Sequence, residues 1–155
     1  MSTVNGLPVH ILLNHLVVVL GPLTALLAIM CALWPAARQR LIWLTLVLAV
    51  ITLIVTPLTA SSGAWLAGKL GQSSAIDNHA NLGATLSYFV AALTATVTLL
   101  AIVHIRQARG LAVKSAVHAV VTTLAIVAAA ATLVQTYRVG DSGARAAWGF
   151  VASSQ

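Results

Sequence analysis

The sequence has almost no acidic side chains. Asp77 and Asp141 are the only two carboxylates among 155 residues, glutamate is absent, and only 6% of the residues are charged. Soluble domains carry about 25% charged residues, whereas 60% of this chain is hydrophobic. A water-soluble fold of this size is therefore excluded. So is a buried acid pair of the kind used in proton pumping, because both aspartates lie outside the apolar runs.

Cysteine is nearly absent as well. Cys31 is the single cysteine, so neither a disulfide framework nor a cysteine metal cluster can form within one chain. A glycine-rich phosphate loop and a nucleophile elbow are also missing from the sequence. These absences favour a non-catalytic protein over an enzyme.

Four long apolar runs are present, and each is long enough to cross a bilayer core of about 30 Å as a helix. Short polar or basic segments separate them, which favours antiparallel neighbours. We predict an all-α integral membrane protein, a four-helix bundle with up-down-up-down topology. The chain should form a single transmembrane domain over 1–155, with helices at about 9–34, 41–66, 79–105 and 111–137 and a glycine-containing tail over 138–155, expected to be a loop.

The third run is expected to be the central helix. Small residues recur at every fourth position in it, a pattern that lets neighbouring helices approach closely in lipid. This stripe, predicted to face the other helices, comprises Gly83, Ser87, Ala91 and Ala95.

The net charge of +6 comes from basic residues between the apolar runs. In that position they set membrane topology, so we expect a lipid bilayer and not nucleic acid as the partner. Five basic residues flank the first and third connections, whereas three flank the other side. The positive-inside rule then predicts a multi-pass protein of the bacterial inner membrane, with both termini outside.

Four of the five histidines lie at or within the predicted spans, where an ionisable side chain suggests function. His104 and His118 are each seven residues from Leu111, the centre of the last hairpin, so they should lie at similar depth. Two antiparallel helices that present one histidine each can ligate a b-type haem. On this hypothesis His104 and His118 hold an inner haem, and His15 and His79 hold an outer one. The alternative is that interfacial histidines only form hydrogen bonds with loops, head groups or neighbouring helices.

A second candidate site lies at the outer ends of the first and third helices. Asp77 and His79 have a spacing that suits a metal such as Zn²⁺ or Cu²⁺, with His15 as the ligand from the first helix. The alternative for Asp77 is an ordinary helix cap, whose oxygens accept backbone N–H bonds. His15 should lie about 9 Å into its helix, so we expect its imidazole to point into the bundle toward a polar partner.

Four short stretches stand out in the sequence: Leu7–His15, Thr59–Gly63, Asp77–Gly83 and Tyr137–Gly149. Together they resemble a bacterial family of predicted four-helix membrane proteins, known as domain of unknown function twenty-two thirty-one. Family members typically carry a His-Pro pair near the first helix, whereas His10 is followed here by Ile11. The resemblance therefore favours His15 and His79 over His10. Some relatives occur fused or adjacent to iron–sulfur domains, which implies a link to respiratory electron transfer.

The first functional hypothesis is a non-catalytic accessory or assembly subunit, packed against other membrane-protein subunits of a larger complex, such as one of the respiratory chain. It requires no cofactor. The competing hypotheses are a b-type haem electron carrier and an outer-face binder of a metal or small molecule.

Overall fold

In the computed structural model, the described part of the chain comprises residues 3–4, 7–71 and 73–152. It contains four long helices, each long and apolar enough to cross a membrane, which confirms the predicted all-α four-helix architecture. Ahead of them, β1 (Thr3–Val4) pairs antiparallel with β2 (Leu7–Pro8). The helices are α1 (Val9–Leu33), α2 (Pro35–Leu70), α3 (Ser74–Ala108) and α4 (Ser115–Ala152).

The helices run further than the apolar runs predicted. α2 begins at Pro35, because proline suits a first turn, and Trp34 alone links it to α1. α3 begins at Ser74 after the Ser73 hydroxyl, which accepts the Ile76 N–H at 3.3 Å. The cap is therefore Ser73 and not Asp77. The expectation of a loop after Tyr137 is wrong: α4 continues through the tail to Ala152, and residues 153–155 lie outside the described part.

The four helices form a ring in which each packs against its neighbours in sequence and α1 packs against α4. α1 and α3 touch little, so they face each other across one diagonal of the bundle, and α2 and α4 occupy the other. We call the end that carries Arg38, Arg40, Arg106, Arg109 and Lys114 the basic end. The opposite end, where α1 and α3 begin, is the far end.

The core combines large side chains of α3 with small ones of the other helices. Leu93, Val97 and Leu100 are fully buried on α3. The predicted stripe on α3 is only partly inside, since Ala91 and Ala95 are exposed. A four-residue step advances about 40° around a helix, so a stripe of that spacing leaves the packed face after two turns. The fully buried small side chains opposite α3 belong to Ala25, Ala28, Cys31, Ala49, Ala125 and Ala129.

Polar side chains tie α3 to the helices on either side. Gln135 of α4 donates from Nε2 to the Leu82 carbonyl at 3.0 Å and to the Thr85 hydroxyl at 2.8 Å. Thr94 donates to the Ala49 carbonyl of α2 at 3.2 Å. Such interhelical bonds contribute roughly 0.6–2 kcal/mol each in a membrane, and here they fix the register of both pairs.

Candidate functional site

Two histidines face each other across the bundle at its far end. His10 lies in the first turn of α1 and His79 in the second turn of α3. The centroids of their imidazole rings are 6.1 Å apart, and the ring planes make an angle of 74°. Because α1 and α3 are diagonal helices, this pair closes the interior of the bundle at that end.

Both imidazoles are held through Nδ1. Nδ1 of His10 lies 2.9 Å from the Thr59 carbonyl oxygen, which can only accept, so Nδ1 carries the proton. Nδ1 of His79 lies 3.1 Å from the Ser142 hydroxyl oxygen. That hydroxyl donates its own proton to the Val139 carbonyl at 2.9 Å, so it accepts from His79. In both rings Nε2 therefore keeps its lone pair.

Each ring packs against a glycine of the helix that follows its own. A Cβ atom on Gly63 of α2 would lie 2.7 Å from Cε1 of His10. One on Gly143 of α4 would lie 3.0 Å from Cε1 of His79. Neither approach is possible for a residue with a side chain unless the ring moves. The α1–α2 hairpin and the α3–α4 hairpin thus contribute equivalent halves of the site. Each supplies a histidine from its first helix and a glycine from its second.

The pair lines a partly open cavity of about 390 Å³, to which all four helices contribute residues. This volume lies within the range of about 300–1,000 Å³ that is typical of small-molecule and cofactor sites. Asn14 adds one amide to the wall, and most of the rest is apolar and small. The small residues of the wall are Ala60, Gly63, Ala64, Ala67, Ala80, Gly83, Gly140, Gly143, Ala144, Ala146 and Ala147.

The depth of this cavity follows from helix length. His79 and Arg106 are separated by 27 residues of α3, or about 40 Å at the rise of an α-helix. That distance matches the thickness of a bilayer including its polar layers, about 40–45 Å. If Arg106 lies at one interface, a helix perpendicular to the membrane would bring the histidine pair to the polar layer of the other.

The structure does not bring His15, Asp77 and His79 together. His15 is exposed, and its Nδ1 donates to the Ile11 carbonyl of its own helix at 2.7 Å. The expectation that it points into the bundle is wrong. Asp77 is exposed in the first turn of α3, where a carboxylate favours the positive end of the helix dipole. In the described part of the chain, no three His, Cys, Asp or Glu side chains cluster as a metal site would require.

The chain matches one protein family over nearly its whole length. A family described as "Predicted membrane protein (DUF2231)" matches residues 6–155, which is nearly the whole sequence. The chain belongs to this family. No curated protein and no solved structure matches it.

Residues that build the site lie within the stretches that carry the family resemblance. Thr59 and Gly63 bound one of them, and Ser142 and Gly143 lie in another. Sequence reasoning noted these stretches but gave their residues no role, and it discounted His10 because proline does not follow it. The sequence does contain a signal for these residues. A Ser-Gly pair occurs twice, at 62–63 and 142–143, in two helices that lie diagonally opposite each other.

The two histidines of the basic end have other surroundings. Nε2 of His118 accepts a hydrogen bond of 2.9 Å from Nη1 of Arg38. Arg38 and His118 are each the fourth residue of their helices, α2 and α4, so this contact spans the second diagonal. His104 is half-buried in the wall of a separate cavity next to Arg38. Nε2 of His118 is therefore engaged, whereas Nε2 of both His10 and His79 keeps its lone pair.

Proposed function

We propose that this family member is a haem-binding membrane protein that transfers single electrons, with one b-type haem held between His10 and His79. The observation that supports this is the pair itself. Two imidazoles on diagonal helices are fixed through Nδ1, keep Nε2 available, and have centroids 6.1 Å apart. Two imidazoles on opposite sides of one metal ion, each with a nitrogen about 2 Å from it, also have centroids about 6 Å apart.

The number of ligands favours a haem over a bare metal ion. Zinc sites take three or four protein ligands, and no third His, Cys, Asp or Glu accompanies the pair among the described residues. A haem iron needs only two, since the macrocycle supplies the other four nitrogens. In the haem hypothesis, the two ligands at the outer end are then His10 and His79, so His10 takes the place of His15.

The surroundings of the pair fit such a group. Ligating histidines almost always donate the other ring N–H to a carbonyl, carboxylate or water, which fixes the tautomer. Thr59 and Ser142 accept these protons here. The alanines and glycines of the cavity leave an apolar space beside the rings.

In this proposal each residue of the site has a separate role. A haem held by two imidazoles would supply reversible one-electron chemistry and not oxygen activation. His10 and His79 would hold the iron, Thr59 and Ser142 orient the two rings through hydrogen bonds, and Gly63 and Gly143 leave space for them. The location in a polar layer places the group within reach of an electron donor or acceptor in the aqueous phase.

The test is an absorption spectrum of the full chain, purified in mild detergent from cells supplied with a haem precursor. We expect a Soret band and about one haem per chain, since one pair offers one site. A protein that is folded, as judged by its helical circular dichroism, and yet has no Soret band before and after addition of haemin would contradict the proposal.

A second candidate function is that of an accessory subunit of a larger membrane complex, such as a respiratory one. α3 supports it, because a patch of its exposed surface consists of small side chains, which allow another helix to approach closely in lipid. This patch comprises Ala91, Ala92 and Ala95, and the exposed Tyr88 borders it.

A photoreactive side chain at Ala91 tests this second candidate in native membranes. We expect one discrete cross-linked product of higher mass, because a docked helix would lie against this position. The control is Val47, which is exposed on α2. The same products from both positions, or none from Ala91, would count against a docked partner.

We further propose that the basic end lies in the cytoplasm of a bacterial cell and that the far end lies outside, because basic residues are retained on the cytoplasmic side. A cysteine in place of Ser74, which is exposed as the first residue of α3, should react with an impermeant maleimide in intact cells. The matched control is Ala112→Cys, exposed between α3 and α4, which should react only after lysis. Native Cys31 is fully buried and should stay silent. The reverse pattern would invert the topology.

A further inference from the structure

A buried cation lies at the basic end without an acidic partner. The Arg38 side chain is close to the start of α2, and the residue is only 5% exposed. The chain has two acidic side chains in all, Asp77 and Asp141. Asp77 lies in the first turn of α3, at the far end, and Asp141 pairs with Arg145 at 2.9 Å near the end of α4. Neither carboxylate can neutralise Arg38.

Within the described part of the chain, Arg38 donates one side-chain hydrogen bond, to His118. A guanidinium has five N–H donors, and one of them reaches Nε2 of neutral His118. Burying a charge without an opposite charge is unfavourable, and more so in a membrane. An anion from outside the chain would therefore stabilise the buried charge of Arg38.

A cavity of about 300 Å³ adjoins Arg38. His104, Gln39 and Gln107 line it together with Arg38, so its wall offers several N–H donors. Pro35 lines it as well, at the first turn of α2, which has neither an acidic residue nor a side-chain cap. The positive end of the helix dipole adds to the attraction for an anion there.

We propose that this cavity binds the phosphate group of an anionic ligand, with Arg38 as its principal contact. The planar fork of a guanidinium matches the geometry of phosphate. The basic end lies at the level of a bilayer's polar layer, where phospholipid phosphates are found, and basic pockets between helices bind such head groups. A phospholipid head group and a soluble phosphate present the same chemistry to the cavity.

The experiment measures thermal unfolding of the full chain in uncharged detergent. The additions are phosphatidylglycerol, phosphatidylcholine in equal amount, or inorganic phosphate against chloride of equal ionic strength. A ligand that binds only the folded state raises Tm, and we expect a rise of about 3 °C or more with phosphatidylglycerol over phosphatidylcholine. An equal rise with inorganic phosphate would assign the site to a soluble ligand, and no rise with phosphate would assign it to lipid.

Variants test whether binding in this cavity causes the rise in Tm. Arg38→Gln should abolish the rise, whereas Arg40→Gln, which removes an exposed arginine two residues away, should keep it. Gln107→Leu removes one N–H donor from the wall while the buried charge stays, so it should reduce the rise measurably, even where Arg38→Gln fails to fold. No rise in the wild type with either phosphate source, or equal losses in Arg38→Gln and Arg40→Gln, would overturn the proposal.

Discussion

Replacing His10 by alanine is expected to remove the Soret band of the purified protein almost completely, whereas replacing His15 by alanine should leave it intact. Both residues lie on α1, five positions apart. His10 faces His79 across the bundle, but His15 is exposed and bonded to its own helix. Loss of a partner that only orients a ligand already costs about 10–100-fold in metal affinity, so loss of a ligand should cost at least as much. Pyridine haemochrome quantification per chain measures the effect.

His79→Ala should match His10→Ala, because each removes one of two axial ligands. Helical circular dichroism of every variant controls for folding. Equal haem content in His10→Ala and the wild type would contradict the assignment of the pair. Loss of haem in His15→Ala, with His10→Ala unaffected, would restore the ligand set that sequence analysis favoured.

The second large effect is expected in the packing of α2 against α3. Ala49 is fully buried, and its carbonyl accepts a hydrogen bond of 3.2 Å from the Thr94 hydroxyl, so the two backbones lie close together. Ala49→Leu adds three carbons where there is no space and should separate the helices. Overpacking of this kind typically costs about 1–3 kcal/mol, and the lost hydrogen bond adds to it. The free energy of unfolding in mixed micelles, followed by helical circular dichroism, measures the sum.

Ala91→Leu is the matched control for Ala49→Leu. It makes the same chemical change on α3 at an exposed position, so the stability of the isolated protein should change little. If both variants lose the same stability, the cost would reflect leucine itself and not the close approach of α2 and α3.

The four helices could be predicted from the sequence for a simple physical reason. Inside a bilayer the backbone has no water to bond with, so a long apolar run must be helical. The same argument cannot locate helix ends. α4 continues through Asp141 and Arg145 because a helix satisfies its own backbone in the polar layer as well, and there the hydropathy signal is lost. The ends had to be seen in the structure.

The site could be predicted only in part. The sequence predicted that His79 belongs to a far-end cluster, and the structure shows that the ring facing it is that of His10 and not that of His15. The direction of each side chain could have been inferred from Thr24, which belongs to the small stripe of α1 and is fully buried. Fourteen residues separate Thr24 from His10, about 40° around the helix, whereas nine separate it from His15, about 180°. The glycines could not be found in this way, because their role is the space that a neighbouring helix's ring occupies.

The basic end illustrates a different limit. Sequence reasoning paired His104 with His118 from their equal distance to the hairpin centre, and Arg38 was counted only as a topology signal. The structure brings Arg38 to His118 because α2 and α4 both begin at this end. The spacing of residues within the α3–α4 hairpin carries no information about the α1–α2 hairpin. The contact between Arg38 and His118 across the diagonal was therefore not predictable.

Electron paramagnetic resonance of the oxidised, haem-loaded protein tests the central claim most directly, because it reports the number and orientation of the axial ligands. Two imidazoles should give a low-spin ferric signal. Their planes are 74° apart, and axial imidazoles that are close to perpendicular produce a strongly anisotropic spectrum, so we expect that form. A high-spin signal, in the wild type as in His10→Ala, would show that His10 and His79 do not hold the iron together and would contradict the account.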